Sequence, residues 1–172
     1  MVFGEGNPNA IVMFVGEGPG KEEQETGRPF VGRCGKLLRD MIRAIEIPEE
    51  HHYIANVVKD RPPGNRPPEN EEIEACSKFL KKQIEIINPK VLVLLGRTAV
   101  KALMPNEANT PIGTLRTFKG HLVYTQPVTE TNHFYASVIV TYHPSALLRT
   151  PYRKTDAKED FLFIQKAYRE FL

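Results

Sequence analysis

The chain has 172 residues, a formal net charge of +2, 41% hydrophobic residues and 26% charged residues. That length suits one domain with a sizeable core, and the charge balance is too even to announce a polyanionic partner by itself. Two cysteines exclude a disulfide framework and cannot alone ligate zinc or an iron–sulfur cluster, and no apolar run approaches the ~20 residues that span a bilayer.

Residues 1–10 are polar and rich in turn formers, which argues against a secretory leader and for a cytoplasmic setting. Ile11–Val15 reads as the first strand, broken by Gly16-Glu17-Gly18-Pro19-Gly20. After a charged loop, Gly35–Ile45 carries Leu37, Leu38, Met41, Ile42 and Ile45 at helical spacing. Tyr53–Val58 reads as the second strand. Pro62, Pro63, Pro67 and Pro68 then make Arg61–Pro68 a stiff irregular loop. Glu69–Ile87 is the clearest helix, with acidic residues in its first turn and the stripe Ile73, Cys76, Leu80, Ile84, Ile87. Lys90–Gly96 is nearly all apolar, as a central parallel strand should be, and Thr98–Leu103 makes a short helix.

Signals weaken from Met104 to Gln126, where a strand is expected at His121–Thr125, and Gln126–His133 reads as loop. Tyr135–Tyr142 is a β-branched strand, and a helix from about Thr155 to Leu172 closes the chain. Alternating strands and helices predict an α/β fold, a three-layer α/β/α sandwich around a mainly parallel four-stranded sheet. A single domain over 1–172 is expected, with no repeat and no linker.

Charge is unevenly spread. Lys59, Arg61 and Arg66 face only Asp60 in one loop, and Arg149, Arg153, Lys154 and Lys158 face only Asp156 in another. The intervening helix is acidic, with five Glu against three Lys. Three strands end in loops that carry chemistry: Glu17 to Phe30, Asn56 to Asn65, and His143 to Arg149. The carboxyl ends of parallel strands share one edge of a sheet, so these loops can line one cleft.

These segments, GEGPG-KEE-QETGRPFVGRCGKLL, NVVKDRPPGNR with EEIEAC, KVLVLLG and TYHPSALLR, resemble the bacterial and archaeal family 4 uracil-DNA glycosylases over nearly the whole chain and in order. The leading VFGEGNPNA is similar as well. The resemblance implies a monofunctional enzyme that hydrolyses the N-glycosidic bond of uracil flipped out of DNA, beginning base-excision repair. It also implies a [4Fe–4S] cluster on four cysteines. Here only Cys76 matches a ligand position: Asp60 stands where the third cysteine belongs, the first pair would precede the leading segment, and Cys34 is not at a ligand position. No cluster and no other metal is therefore expected.

By resemblance, His143 donates to the leaving base, and Glu17, with Asn65 as a second candidate, holds the attacking water. Phe30 stacks on the base, Asn56 reads its edge, and Glu23 walls off the thymine methyl, with Gly18 and Gly20 shaping the turn. Ser145, Leu147, Leu148 and Arg149 would enter the minor groove, a leucine wedging the vacated stack, with Arg61 and Arg149 on phosphates. The expected partners are uracil-containing DNA, single- or double-stranded, and free uracil as product, with no membrane partner and a monomeric state.

Each of these residues also has an ordinary reading. Phe30, Leu147 and Leu148 could be core, His143 and Asn56 could satisfy a strand end, and Lys59 and Arg61 could be surface charge. His51, His52, His121 and His133 show no ligand spacing and read as structural. Two other functions stand beside the first. One is a catalytically silent or altered relative that only binds uracil-containing DNA. The other is a nucleotide-binding α/β protein using Gly16–Gly20 as a phosphate loop, which would want a Lys and Ser/Thr that the turn lacks.

Overall fold

The computed structural model describes residues 1–117 and 136–172, together with the backbone of 127–129 and 132–133. In chain order its strands are β1 (Glu5–Gly6), β2 (Val12–Gly16), β3 (His52–Asn56), β4 (Val91–Leu95), a small hairpin of β5 (Pro127–Thr129) and β6 (Asn132–His133), and β7 (Ser137–Thr141). The helices are α1 (Lys21–Thr26), α2 (Arg33–Ala44), α3 (Asn70–Ile87), α4 (Arg97–Leu103), α5 (Ile112–Leu115), α6 (Pro144–Arg149) and α7 (Arg153–Arg169). The main sheet runs β1-β3-β2-β4-β7, parallel throughout except for β1.

Four of the five expected strands are therefore present in the main sheet, which gains one more, β1. β1 comes from the leading segment that reads as turn, and it pairs antiparallel with β3 at the edge. Glycine permits it: a Cβ on Gly6, at φ +138°, would lie 2.4 Å from the His52 carbonyl oxygen. Three further differences stand out. The charged loop after β2 contains α1, Gln126–His133 holds the β5–β6 hairpin rather than loop, and Pro144–Arg149 is helical. The strand expected at His121–Thr125 lies outside the described residues. β3 stops at Asn56, two residues before its predicted end, yet Val57 and Val58 still donate to the carbonyls of Gly16 and Glu17 at 3.0 Å each. The β2–β3 ladder thus continues into both loops.

Strand alternation sorts the core into two layers. Met13, Val15, Ala55, Leu92, Leu94, Val138 and Val140 face α3 and α4, meeting Ile73, Leu80, Ile84, Val100 and Leu103. Val12, Phe14, Ile54, Val91, Val93, Leu95 and Ile139 face α2 and α7, meeting Leu38, Ile42, Phe161 and Ile164. Each of these side chains larger than alanine contributes about 1.5–3 kcal/mol on full burial. This is the three-layer α/β/α arrangement. Among the described residues no helix is long and apolar enough to cross a membrane.

The proline loop is not held by its prolines alone. Arg66 forks onto Glu72 through two bonds of 2.8 Å, and this pairing draws the Glu72 carboxyl down to about 2. Glu69 and Glu72 form a reciprocal capping box at the start of α3. Lys59 departs furthest from the surface reading. It is 1% exposed, and its ammonium donates to the carbonyls of Phe3 (3.1 Å) and Asn56 (2.8 Å) and to Gln83 Oε1 (2.6 Å). Burial lowers its pKa to about 8.

Candidate active site

The strand order places β2 between β3 and β4, so the chain leaves β2 to one side and returns on the other. Such a switch point opens a crevice at the carboxyl ends of the strands. Gly16 closes β2 there, and a Cβ on it would lie 2.4 Å from Phe30 Cζ and 2.6 Å from Asn56 Oδ1. A ring edge and an amide oxygen therefore converge on a point that only glycine leaves open. Asn56 is 1% exposed, and its Oδ1 has no hydrogen-bond partner among the described residues. A buried acceptor left unpaired costs about 1–3 kcal/mol, which a ligand's N–H would offset.

Phe30 is 4% exposed and adopts φ +51°, the left-handed region that a bulky residue avoids. Strain of this kind is worth about 1–3 kcal/mol and persists where surrounding structure imposes it. The Phe30 ring lies 5.8 Å from the His143 ring, centroid to centroid, tilted by 35°. Both rings thus bound the same space as Asn56.

His143 caps the short helix α6. Its Nδ1 accepts from the Ser145 backbone N–H at 3.1 Å and lies 2.9 Å from Ser145 Oγ. A backbone N–H can only donate, so Nδ1 must present its lone pair, and the ring proton sits on Nε2. Burial, aided by the Arg149 charge, pushes the imidazole down to about 4. The ring is neutral at physiological pH and offers one N–H donor. Gly96, at φ +87°, follows β4 and caps α4, and a Cβ there would come within 2.9 Å of His143 Cβ.

Glu17 follows Gly16 across the crevice. The Thr98 hydroxyl, in the first turn of α4, donates to its Oε2 at 2.5 Å. Its carbonyl is fixed by Val58 N–H. Nothing in the sequence marked Thr98 except its place just past the carboxyl end of a parallel strand, a fourth loop beside the three singled out.

The other expected residues divide. Glu23 reaches back so that its Oε1 accepts from Gly32 N–H at 3.3 Å, at the start of α2, while a Cβ on Gly20 would sit 3.0 Å from its Oε2. Gly18 packs on Val58, where a Cβ would be 2.5 Å from Cγ2. Asn65 is not brought to the cluster: it is exposed on a 3₁₀ turn at φ +58°, and its Oδ1 takes the Arg61 Nε at 3.4 Å. The proline loop turns it toward solvent instead. Leu147 is 1% exposed and is a core anchor of α6, so it is not available as a wedge. Leu148 is half-buried and Arg149 exposed on the same helix, and Ser145 serves His143.

The donors do not fit an iron–sulfur cluster. Cys34 lies on α2 and Cys76 on α3, helices that pack on opposite faces of the sheet, and both thiols are free. Asp60, at the third ligand position, is exposed, and the buried ammonium of Lys59 lies near Cys76. Among the described residues no three His, Cys, Asp or Glu side chains gather to hold a metal ion.

The sequence model of the uracil DNA glycosylase superfamily matches residues 3–169. A type-4 uracil-DNA glycosylase of Thermotoga maritima is 47% identical over 156 residues, covering 87% of this chain and 72% of the relative. The type-4 enzyme of Sulfurisphaera tokodaii is 43% identical over 166 residues, covering 96% of this chain and 73% of the relative. That of Archaeoglobus fulgidus is 40% identical over 160 residues, covering 93% and 78%.

Proposed function

Because this chain belongs to the uracil DNA glycosylase superfamily, we propose that it hydrolyses the bond between uracil and deoxyribose in DNA. It is a DNA glycosylase, and the observation that carries the site is the orphaned Asn56 Oδ1 beside the Phe30 ring over Gly16. Uracil presents N3–H next to O4. The Asn56 Oδ1 accepts the first and its amide donates to the second, whereas cytosine reverses that edge and leaves like groups opposed. Each mismatched buried pair costs about 1–3 kcal/mol, enough for strong discrimination. Glu23, braced on Gly32, forms the wall against a thymine methyl.

Departure of the base leaves an oxocarbenium-like sugar and a uracil anion. His143 Nε2–H donates to the base oxygen as charge gathers there, and a neutral donor already in place needs no reorganisation. Glu17, held on one oxygen by Thr98, uses the other to orient water and to face the cationic sugar. Asn65, exposed and turned onto Arg61, takes no part. Extrusion of the base is helped by Leu148 entering the vacated stack, while Arg61 and Arg149 meet phosphates. Free uracil leaves as product, and the enzyme acts as a monomer in the cytoplasm on either strand form. The chain works without an iron–sulfur cluster, its loop being tied by Arg66–Glu72 and by Lys59 instead.

An oligonucleotide with one labelled uracil, with thymine and cytosine controls, tests this. Release of uracil alone, from a protein with no visible absorption band, is the expected result. Tight, salt-sensitive binding with no release would establish the silent relative, and affinity for free nucleotides indifferent to salt would establish the phosphate-loop reading.

A further inference from the structure

The backbone of Phe30 is held in its unfavourable conformation from two sides. Gly35 of α2 lies directly beneath, since a Cβ there would come within 1.9 Å of the Phe30 carbonyl carbon. One turn further along α2, Arg39 donates from Nε to the Phe30 carbonyl and from Nη2 to the Pro29 carbonyl, both at 2.9 Å. The same Nη2 meets Glu5 Oε2 at 3.2 Å, and Glu5 is braced in turn by Arg28 through Nη2 at 2.8 Å and Nε at 3.2 Å. The planar fork of a guanidinium matches two successive carbonyls, which a lysine's single ammonium does not. Arg39 is half-buried, and its hydrogen bonds go to this peptide and to Glu5.

We propose that Arg39 is a positioning residue for base recognition: anchored by Glu5, its guanidinium clamps the Pro29–Phe30 carbonyls and so fixes the Phe30 ring over Gly16 and beside His143. The inference rests on the reading of Phe30 as the stacking face. Arg39 touches neither base nor sugar, and it acts on the reaction only through the ring. β1, the strand that carries Glu5, is thereby linked through Arg39 to the Phe30 peptide.

The test is a double-mutant cycle on the full chain, comparing Arg39→Met, Phe30→Ala and the pair. The readouts are KM and kcat on a uracil oligonucleotide and inhibition by free uracil. Arg39→Met should raise KM and the inhibition constant of uracil together, by roughly tenfold, with kcat changed far less. In the Phe30→Ala background it should add nothing. Arg39→Lys should recover part of the loss, and Glu5→Gln, which leaves the fork intact, should give a smaller change of the same sign. Should Arg39→Met fail to fold, Arg39→Lys and Glu5→Gln carry the same cycle. Equal effects of the Arg39 change with and without Phe30, or unchanged uracil inhibition while Phe30→Ala weakens it, would overturn the proposal. Unchanged inhibition in Phe30→Ala itself would instead overturn the stacking role, and the clamp with it.

Discussion

The neutrality of His143 makes a quantitative prediction about acid. Protonating Nδ1 would aim an N–H at the Ser145 N–H, which cannot turn away, so the imidazolium must abandon the cap and its aim at the base. Excision should therefore follow the neutral fraction of the ring. With the imidazole at about 4, about 90% of the plateau rate survives at pH 5. A histidine at its ordinary value near 6.5 would retain only about 3% there. Single-turnover excision from a single-stranded uracil oligonucleotide between pH 4.5 and 8 separates the two by roughly thirtyfold. Stability carries the same signature. The folded-state pKa lies below the unfolded one, so between about 6.5 and 4 the unfolded chain takes up the proton and the native chain does not. Stability should fall as pH drops through that window, by up to about 3 kcal/mol, and His143→Gln should remove that component. His143→Ala should also cut the plateau rate by about a hundredfold or more, as loss of an oxyanion donor does. A rate that halves near pH 6.5, or a plateau untouched by His143→Ala, would refute the reasoning.

Other outcomes follow from the same geometry. Gly16→Ala puts a methyl where the Phe30 edge and Asn56 Oδ1 converge, and kcat/KM should fall by roughly a hundredfold or more, with overpacking costing about 1–3 kcal/mol of stability besides. Thr98→Val frees Glu17 and should lower kcat by roughly tenfold, with inhibition by free uracil unchanged. Lys59→Met strands two carbonyls and Gln83, and should cost about 2–4 kcal/mol, read as a melting point lower by roughly 5–15 °C. Leu148→Ala should slow excision from duplex more than from single strands, because only duplex has a stack to fill.

What the sequence revealed, and what it did not, follows from the range of the forces involved. Strands and long helices announce themselves within a dozen residues, α3 by its helical period and β2 and β4 by unbroken apolar runs, so all three stand where expected. β1 does not, because two residues carry no period and their pairing depends on β3 more than forty positions away. The pattern of loops after parallel strands gave only that three segments could share one cleft, and Glu17, Phe30, Asn56 and His143 were singled out within them by the resemblance. Their supports were not: Thr98 lies 81 positions from Glu17, and Lys59 looked like any loop lysine until α3 and the leading segment closed over it. The exposure of Asn65 and the burial of Leu147 were hidden for a related reason. A motif fixes which residue occurs, whereas the local turn decides whether it faces the cleft, solvent or core.

The leading segment has a consequence for how this protein opens. Phe3 accepts from Lys59, which also grips the Asn56 carbonyl, and Glu5 anchors the arginine that clamps Phe30. Both walls of the pocket thus depend on the same few residues at the margin of the sheet, joined by contacts spanning 34 to 80 positions. Marginal segments open at far lower free energy than a central sheet, in small cooperative units. Amide exchange would then show the proposed uracil pocket coming apart as one such unit while β2, β4 and β7 remain protected, so that base recognition is lost well before the fold.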